Sequence, residues 1–118
     1  MSKNRELGLE GEKLATDFLK SIGYEIIKNN YRYRRAEIDI IAIHEGTLVF
    51  IEVKTRSNYN YGEPEHAVDE NKAVKIREAA ENYIFINDWK NNIRFDIISI
   101  KKNDYESTEI THFEDAII

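Results

Sequence analysis

The stretch AEIDIIAIHEGTLVFIEVKTR, Ala36 to Arg56, limits the possible folds of this chain more than any other. Two runs rich in Ile, Val, Leu and Phe, Ala36 to His44 and Thr47 to Lys54, flank Glu45-Gly46, which is the pattern of an antiparallel hairpin. Side chains alternate along a strand, so Ile38, Ile40 and Ala42 share one face, as do Val49, Ile51 and Val53. That face is wholly apolar and is expected to meet a helix. The other face carries Glu37, Asp39 and Ile41, then Leu48, Phe50, Glu52 and Lys54. It is apolar near the turn and charged at the far end.

The shortest turn, with Glu45 and Gly46 as its two loop residues, pairs His44 with Thr47. Asp39 then falls opposite Glu52, and Glu37 opposite Lys54. A four-residue loop keeps this register, whereas a three-residue loop breaks it. Opposed residues bring their Cβ atoms to about 4.5–5.5 Å, and like charges so placed repel. A divalent cation removes the conflict, because carboxylate oxygens are hard ligands and Mg²⁺ is usually held by one or two of them plus waters and phosphate. Lys54 shares the face with Glu52 and would sit beside the ion, where it could orient or deprotonate a water or stabilise a pentacovalent phosphate. The plainer alternative is a solvent-exposed strand end with Glu37 and Lys54 as a surface pair.

The rest of the chain supplies a frame for this hairpin. Arg5 to Ile22 reads as a helix, with Leu7, Gly11, Leu14, Ala15, Phe18 and Ile22 at helical spacing and Gly23 just past its end. YEIIKNNYR reads as a strand, and Val68 to about Asn87 as a second helix with Lys72, Ile76, Ala79/Ala80 and Tyr83 on one stripe. IRFDIISI and Thr108 to Phe113 complete an order αβββαββ, a mixed α+β domain (1–118) with a mixed sheet flanked by helices. Glu12 lies about 100° around the first helix from the centre of its apolar stripe, on the side of Gly8, Ala15 and Leu19.

Charge and composition narrow the function classes. There is no cysteine, so disulfides and thiolate metal sites are excluded, and the three histidines show no zinc-ligand spacing. No glycine-rich phosphate loop exists, which excludes the common ATP-coupled readings. The polar start and the lack of a long apolar run point to a cytoplasmic protein without a membrane span. The net charge of −5 counts against a nucleic-acid partner, but the five acids in the acidic C-terminal segment from about residue 103 account for all of it. Upstream, NYRYRR gathers Arg32, Arg34 and Arg35 with Tyr31 and Tyr33, a combination suited to phosphates and unstacked bases, or to a charge-protected edge strand. Arg56 and the loop SNYNYGEP leave the charged end of the hairpin and would clamp a DNA strand. Lys72 either lays its stem over the core or contacts phosphate.

Asp39 followed by Glu52-Val53-Lys54, with Glu12 in a first helix, resembles the PD-(D/E)xK nuclease superfamily. More closely, GLEGEKLATDFLKSIGYEIIKNNYR, AEIDIIA, VFIEVKTR, YGEPEHAV, the Lys72 region and RFDII together resemble the small bacterial YraN-like family, which is similar to archaeal Holliday-junction resolvases. The superfamily's Pro before the Asp is missing here, where the chain reads Glu37-Ile38-Asp39. The resemblance implies a restriction-endonuclease-like core. It implies a DNA endonuclease using Mg²⁺ or Mn²⁺, with Asp39 and Glu52 as metal ligands, Lys54 as the catalytic lysine and Glu12 reaching in from the first helix. Branched recombination or repair intermediates would be its substrates, and symmetrical cutting would require a homodimer. Two rivals stay open: a nucleic-acid-binding module that keeps the fold without cutting, and a scaffold whose acidic tail meets a basic partner.

Overall fold

The structure is a computed structural model that describes residues 3–56, 69–102 and 107–117, with side chains described from residue 8 onward. The loop after Arg56 expected to clamp DNA lies outside the described residues, as do His66, Val68, Asp104 and Glu106. Elements follow in the order α1 (Lys3–Ser21), β1 (Glu25–Tyr33), β2 (Ala36–His44), β3 (Thr47–Arg56), α2 (Glu70–Asn87), β4 (Ile93–Lys102) and β5 (Thr108–Phe113). One five-stranded sheet takes the strands in sequence order. β3 and β4 are parallel, joined by the crossover through α2, and every other neighbouring pair is antiparallel. This is the expected mixed α+β class with a mixed sheet between helices, and it is consistent with a restriction-endonuclease-like core.

The β2–β3 hairpin has the expected turn. Glu45 and Gly46 both take positive φ, 49° and 80°, as a two-residue turn that matches strand twist requires. The ladder runs from His44↔Thr47 to Ile40↔Ile51 in the expected register. At the other end of α1, Gly23 has φ 93° and the Tyr24 N–H returns to the Leu19 carbonyl, closing the helix as its glycine indicated.

Helices cover both faces of the sheet. Ile40, Ala42, Val49 and Ile51 pack with Ala15 and Leu19 of α1, while Ile41, Leu48 and Phe50 pack with Ile76, Ala79 and Ala80 of α2. Truncating the fully buried Phe50 to Ala would cost about 3–5 kcal/mol. Ile38 departs from the simple alternation: it joins the α2 group, opposite Ile40. The cause lies next door in β1, where Asn30 sits at φ 55° in mid-strand. Asn29 bonds Thr16 of α1, whereas Tyr31 bonds Asn82 of α2, so the two faces exchange at Asn30. Asn is among the few residues that tolerate this left-handed conformation. Across the ladder, Asn29↔Ile40 and Tyr31↔Ile38 carry the exchange into β2, and Asp39 stands at the switch.

Candidate active site

Asp39 and Glu52 lie where two strands part. The β2–β3 ladder ends at Ile40↔Ile51, one pair before the two carboxylates would face each other. Instead Asp39 Oδ2 accepts a hydrogen bond from the Val53 N–H at 2.7 Å, spanning the opening. For the same reason Glu37 does not oppose Lys54, which corrects the expected surface pair. Its partner is Arg32, directly across the β1–β2 ladder, with Nε to Oε2 2.9 Å.

Two helices complete the site. Gly11 lets α1 press onto β3: a Cβ there would meet Thr55 Oγ1 at 1.8 Å. The buried seam of α1 is Gly11, Ala15 and Leu19, while Ile22 is 44% exposed. That seam is rotated toward Glu12, which lies roughly 60° from its centre by helical spacing, closer than the sequence stripe indicated. On the other face, Asp69 caps α2 by accepting from the Lys72 N–H at 2.8 Å. The cap fixes the first turn so that Lys72 Nζ reaches Glu52 Oε1 at 3.1 Å. The resulting cleft, of about 500 Å³, is lined by the acids Glu12, Glu37, Asp39 and Glu52 and by the cations Arg35, Lys54, Lys72 and Lys75.

Electrostatics follow from this crowding. Glu52 is 6% exposed, and its Oε2 is buried without a hydrogen-bond partner. Burial and then the adjacent Asp39 carboxylate push its pKa up to about 8, against the pull of Lys72. Glu12 is raised to about 7, by burial first and then by Asp39 and Glu37. Lys54 is lowered, chiefly by burial and next by the Lys72 charge. Each of these groups is held in a less ionised condition than water would give it.

The sequence-derived candidates divide accordingly. Glu12, Asp39, Glu52, Lys54, Lys72 and Arg35 come together in the cleft. Arg32 is held by Glu37 on the flank beside α1. Arg34 sits at the β1–β2 turn with its guanidinium carbon 5.1 Å from the Tyr33 ring centroid, outside the main cleft. Arg56 ends β3 and is not among the residues lining the cleft, though its charge contributes to the depression of Lys54. One cleft residue was not anticipated. Lys75 lines the cleft, and its spacing of three from Lys72 on one helix was the signal that could have found it. Glu37 joins Glu12 and Asp39 in a cluster whose ligand oxygens all lie within 4.8 Å of one another.

The donor set fits a hard divalent cation. A buried carboxylate oxygen left unpartnered is unfavourable, and burial together with neighbouring carboxylates disfavours the ionised forms of Glu12 and Glu52, which a cation would reverse. Oxygen ligands on rigid strands, with an open cleft for waters or phosphate, suit Mg²⁺ or Mn²⁺. Among the described residues no helix is long and apolar enough to cross a membrane.

Comparison with known proteins places these residues in a family. The family described as "Uncharacterised protein family UPF0102" matches residues 11–100. A UPF0102 protein of Flavobacterium psychrophilum is 43% identical over 116 residues, covering 98% of this chain and 97% of its own. One from Alkaliphilus oremlandii is 43% identical over 118 residues, covering 96% of this chain and 98% of its own. Another, from Cytophaga hutchinsonii, is 46% identical over 93 residues, covering 79% and 82%.

Proposed function

Since the chain belongs to the UPF0102 (YraN) family, whose description names no activity, we propose from the site itself that it is a DNA endonuclease. It would depend on a divalent metal and hydrolyse phosphodiester bonds in branched recombination or repair intermediates. The observation that carries this reading is the buried, unpartnered Glu52 Oε2 beside Asp39, in a cleft that Arg35, Lys54, Lys72 and Lys75 also line. Asp39 and Glu52 would hold Mg²⁺ or Mn²⁺, with Glu12 and Glu37 supplying further carboxylate oxygens. When bound, the ion supplies Lewis acidity at the phosphate and neutralises developing charge. Lys54, with its lowered pKa, exchanges a proton more readily than an ordinary lysine and is placed to orient the attacking water or stabilise charge on phosphorus. Arg35, Lys72 and Lys75 would neutralise the flanking phosphates. A two-fold dimer would present two such clefts to opposed strands.

One observation favours a second reading, the non-cleaving DNA-binding module. Lys72 already neutralises one oxygen of Glu52, as a stand-in for a cation would. Cleavage of end-labelled four-way junction, duplex and single-stranded DNA with Mg²⁺ or Mn²⁺ separates the two. Metal-dependent cutting that disappears in both Asp39→Ala and Glu52→Ala is the expected result. DNA binding without cutting, unchanged in those variants, would leave the binding module as the function.

A further inference from the structure

The cleft does not end at the carboxylates. Arg35 and Lys75 also line a neighbouring hollow between the β1–β2 turn and α2, together with Tyr33 and Arg34. That hollow in turn shares Tyr33, Arg34 and Glu78 with a third cleft, of about 460 Å³, which reaches Phe85. On α2, Lys72, Lys75, Glu78, Asn82 and Phe85 form one stripe at helical spacing. From Lys72 to Phe85 the stripe extends roughly 20 Å at the helical rise.

Chemistry changes along this groove in a definite order. Beside the active site it is cationic, through Arg35 and Lys75. Further out it offers Arg34, the acids Glu78 and Glu81, and the rings of Tyr33 and Phe85. Phosphates fit the first part and are repelled by the acids of the second. Bases fit the second part, since a carboxylate accepts from an exocyclic amine and a ring stacks on any base. Phe85 is 85% exposed, the largest exposure among the large hydrophobic side chains of the described residues. Arg34 adds a separate observation, because it holds φ 56° in a tight turn where Gly or Asn would be unstrained. A strained backbone carrying a long cation beside the groove is the kind of outlier that points to a use for the side chain.

We propose that this groove is a subsite for an unpaired DNA strand leaving the cleavage site, its phosphates on Arg35 and Lys75 and a base stacked on Phe85. The proposal rests on the nuclease reading and refines its substrate to duplexes bearing a single-stranded tail or flap. Blunt duplex offers only the outer face of its terminal base pair, whereas an unpaired strand can follow the groove and turn a base onto Phe85, so a preference for tailed over blunt ends is expected.

The test is fluorescence anisotropy with blunt duplex and with the same duplex carrying an unpaired dC tail, in Ca²⁺. Wild type is expected to favour the tailed form, and Phe85→Ala to reduce the tailed-to-blunt affinity ratio about tenfold, the loss of one base stack. Phe85→Trp is expected to restore the ratio. An equal ratio in wild type and Phe85→Ala, or no tail preference in wild type, overturns the subsite. Sedimentation of both proteins checks the rival occupant: a Phe85→Ala change in oligomeric state with the ratio unaltered makes this face a self-association surface and overturns the proposal. Cleavage with Mg²⁺ is scored separately, so tail preference without cutting would refute the nuclease and leave the strand subsite standing.

Discussion

Asp96 and Glu52 are buried carboxylates on neighbouring parallel strands of one sheet, and their surroundings answer them differently. Asp96, fully buried, accepts from Arg94 Nε and Nη2 at 2.9 Å each and from the Asp115 N–H at 2.9 Å, and His112 Nε2 lies 2.8 Å away. Arg94 is itself held by the Tyr24 hydroxyl. Burial alone would raise the Asp96 pKa, but the bonds from His112, Arg94 and the Asp115 N–H outweigh it and hold the carboxyl below its ordinary value. Glu52 has one lysine on one oxygen, nothing on the other, and a second carboxylate alongside. A buried acid whose partners come from the protein ties the fold together. On the proposed reading, Glu52 would take its missing partner from outside the protein.

The largest expected effect lies at the satisfied carboxylate. Asp96→Asn leaves the Arg94 guanidinium, with a side chain only 22% exposed, facing a neutral amide. Breaking a buried pair in this way should lower stability by about 3–5 kcal/mol in urea unfolding. Cutting per folded molecule should not change. A loss under about 1 kcal/mol would erase the contrast with Glu52.

Glu52→Gln should reverse that pattern. The amide removes the repulsion with Asp39 and leaves Lys72, whose side chain is 39% exposed, in contact with water. Stability is expected to hold or rise, while cutting falls by about 100- to 1000-fold, the scale of removing one electrostatic contributor to the transition state. Loss of stability as large as that of Asp96→Asn would make Glu52 a structural acid.

The comparison also explains what was legible in the sequence. Asp39, Glu52 and Lys54 stood out because polar residues interrupted apolar strands, and the Glu45-Gly46 turn set the register as far as Ile40↔Ile51, one pair short of them. Asp96 sends the same local signal within RFDIISI and was passed over. Only Arg94, two residues away on the same strand, is a local partner; His112 lies 16 residues away and Asp115 19, and no local pattern encodes those. Nor could alternation anticipate the exchange of faces at Asn30, which depends on one backbone angle and carries Glu37 to the Glu12 side. The sequence of elements and the β2–β3 turn were readable because periodicity is local. The difference between a satisfied and an unsatisfied acid is tertiary.

A third prediction concerns the missing partner itself. Mn²⁺ at about 100 times its dissociation constant should stabilise the folded protein by about 2.7 kcal/mol, read as a rise in thermal midpoint. Asp96→Asn should keep the whole rise from its lower baseline, whereas Glu52→Gln and Asp39→Ala should lose most of it. A rise that survives Glu52→Gln would move the ion to the Glu12, Glu37 and Asp39 cluster.

The pH dependence is the sharpest test of the contrast, because the two regions should slope in opposite directions with pH. Asp96 is depressed in the folded state, so its contribution is present above the ordinary carboxylate range and is lost as pH falls through its lowered folded value. Glu52 and Glu12 are raised, so their protonated forms favour folding at low pH. Above the usual value of 4.5 the unfolded chain ionises first, and stability drains away as pH climbs toward about 7 for Glu12 and about 8 for Glu52. Metal-free protein should therefore lose stability from pH 5 to 8, a slope flattened by Glu52→Gln and by Mn²⁺ alike. Below pH 4 the loss should persist in Glu52→Gln and shrink in Asp96→Asn. If the neutral slope survives Glu52→Gln, Glu12 carries it, and the double variant with Glu12→Gln should flatten what remains.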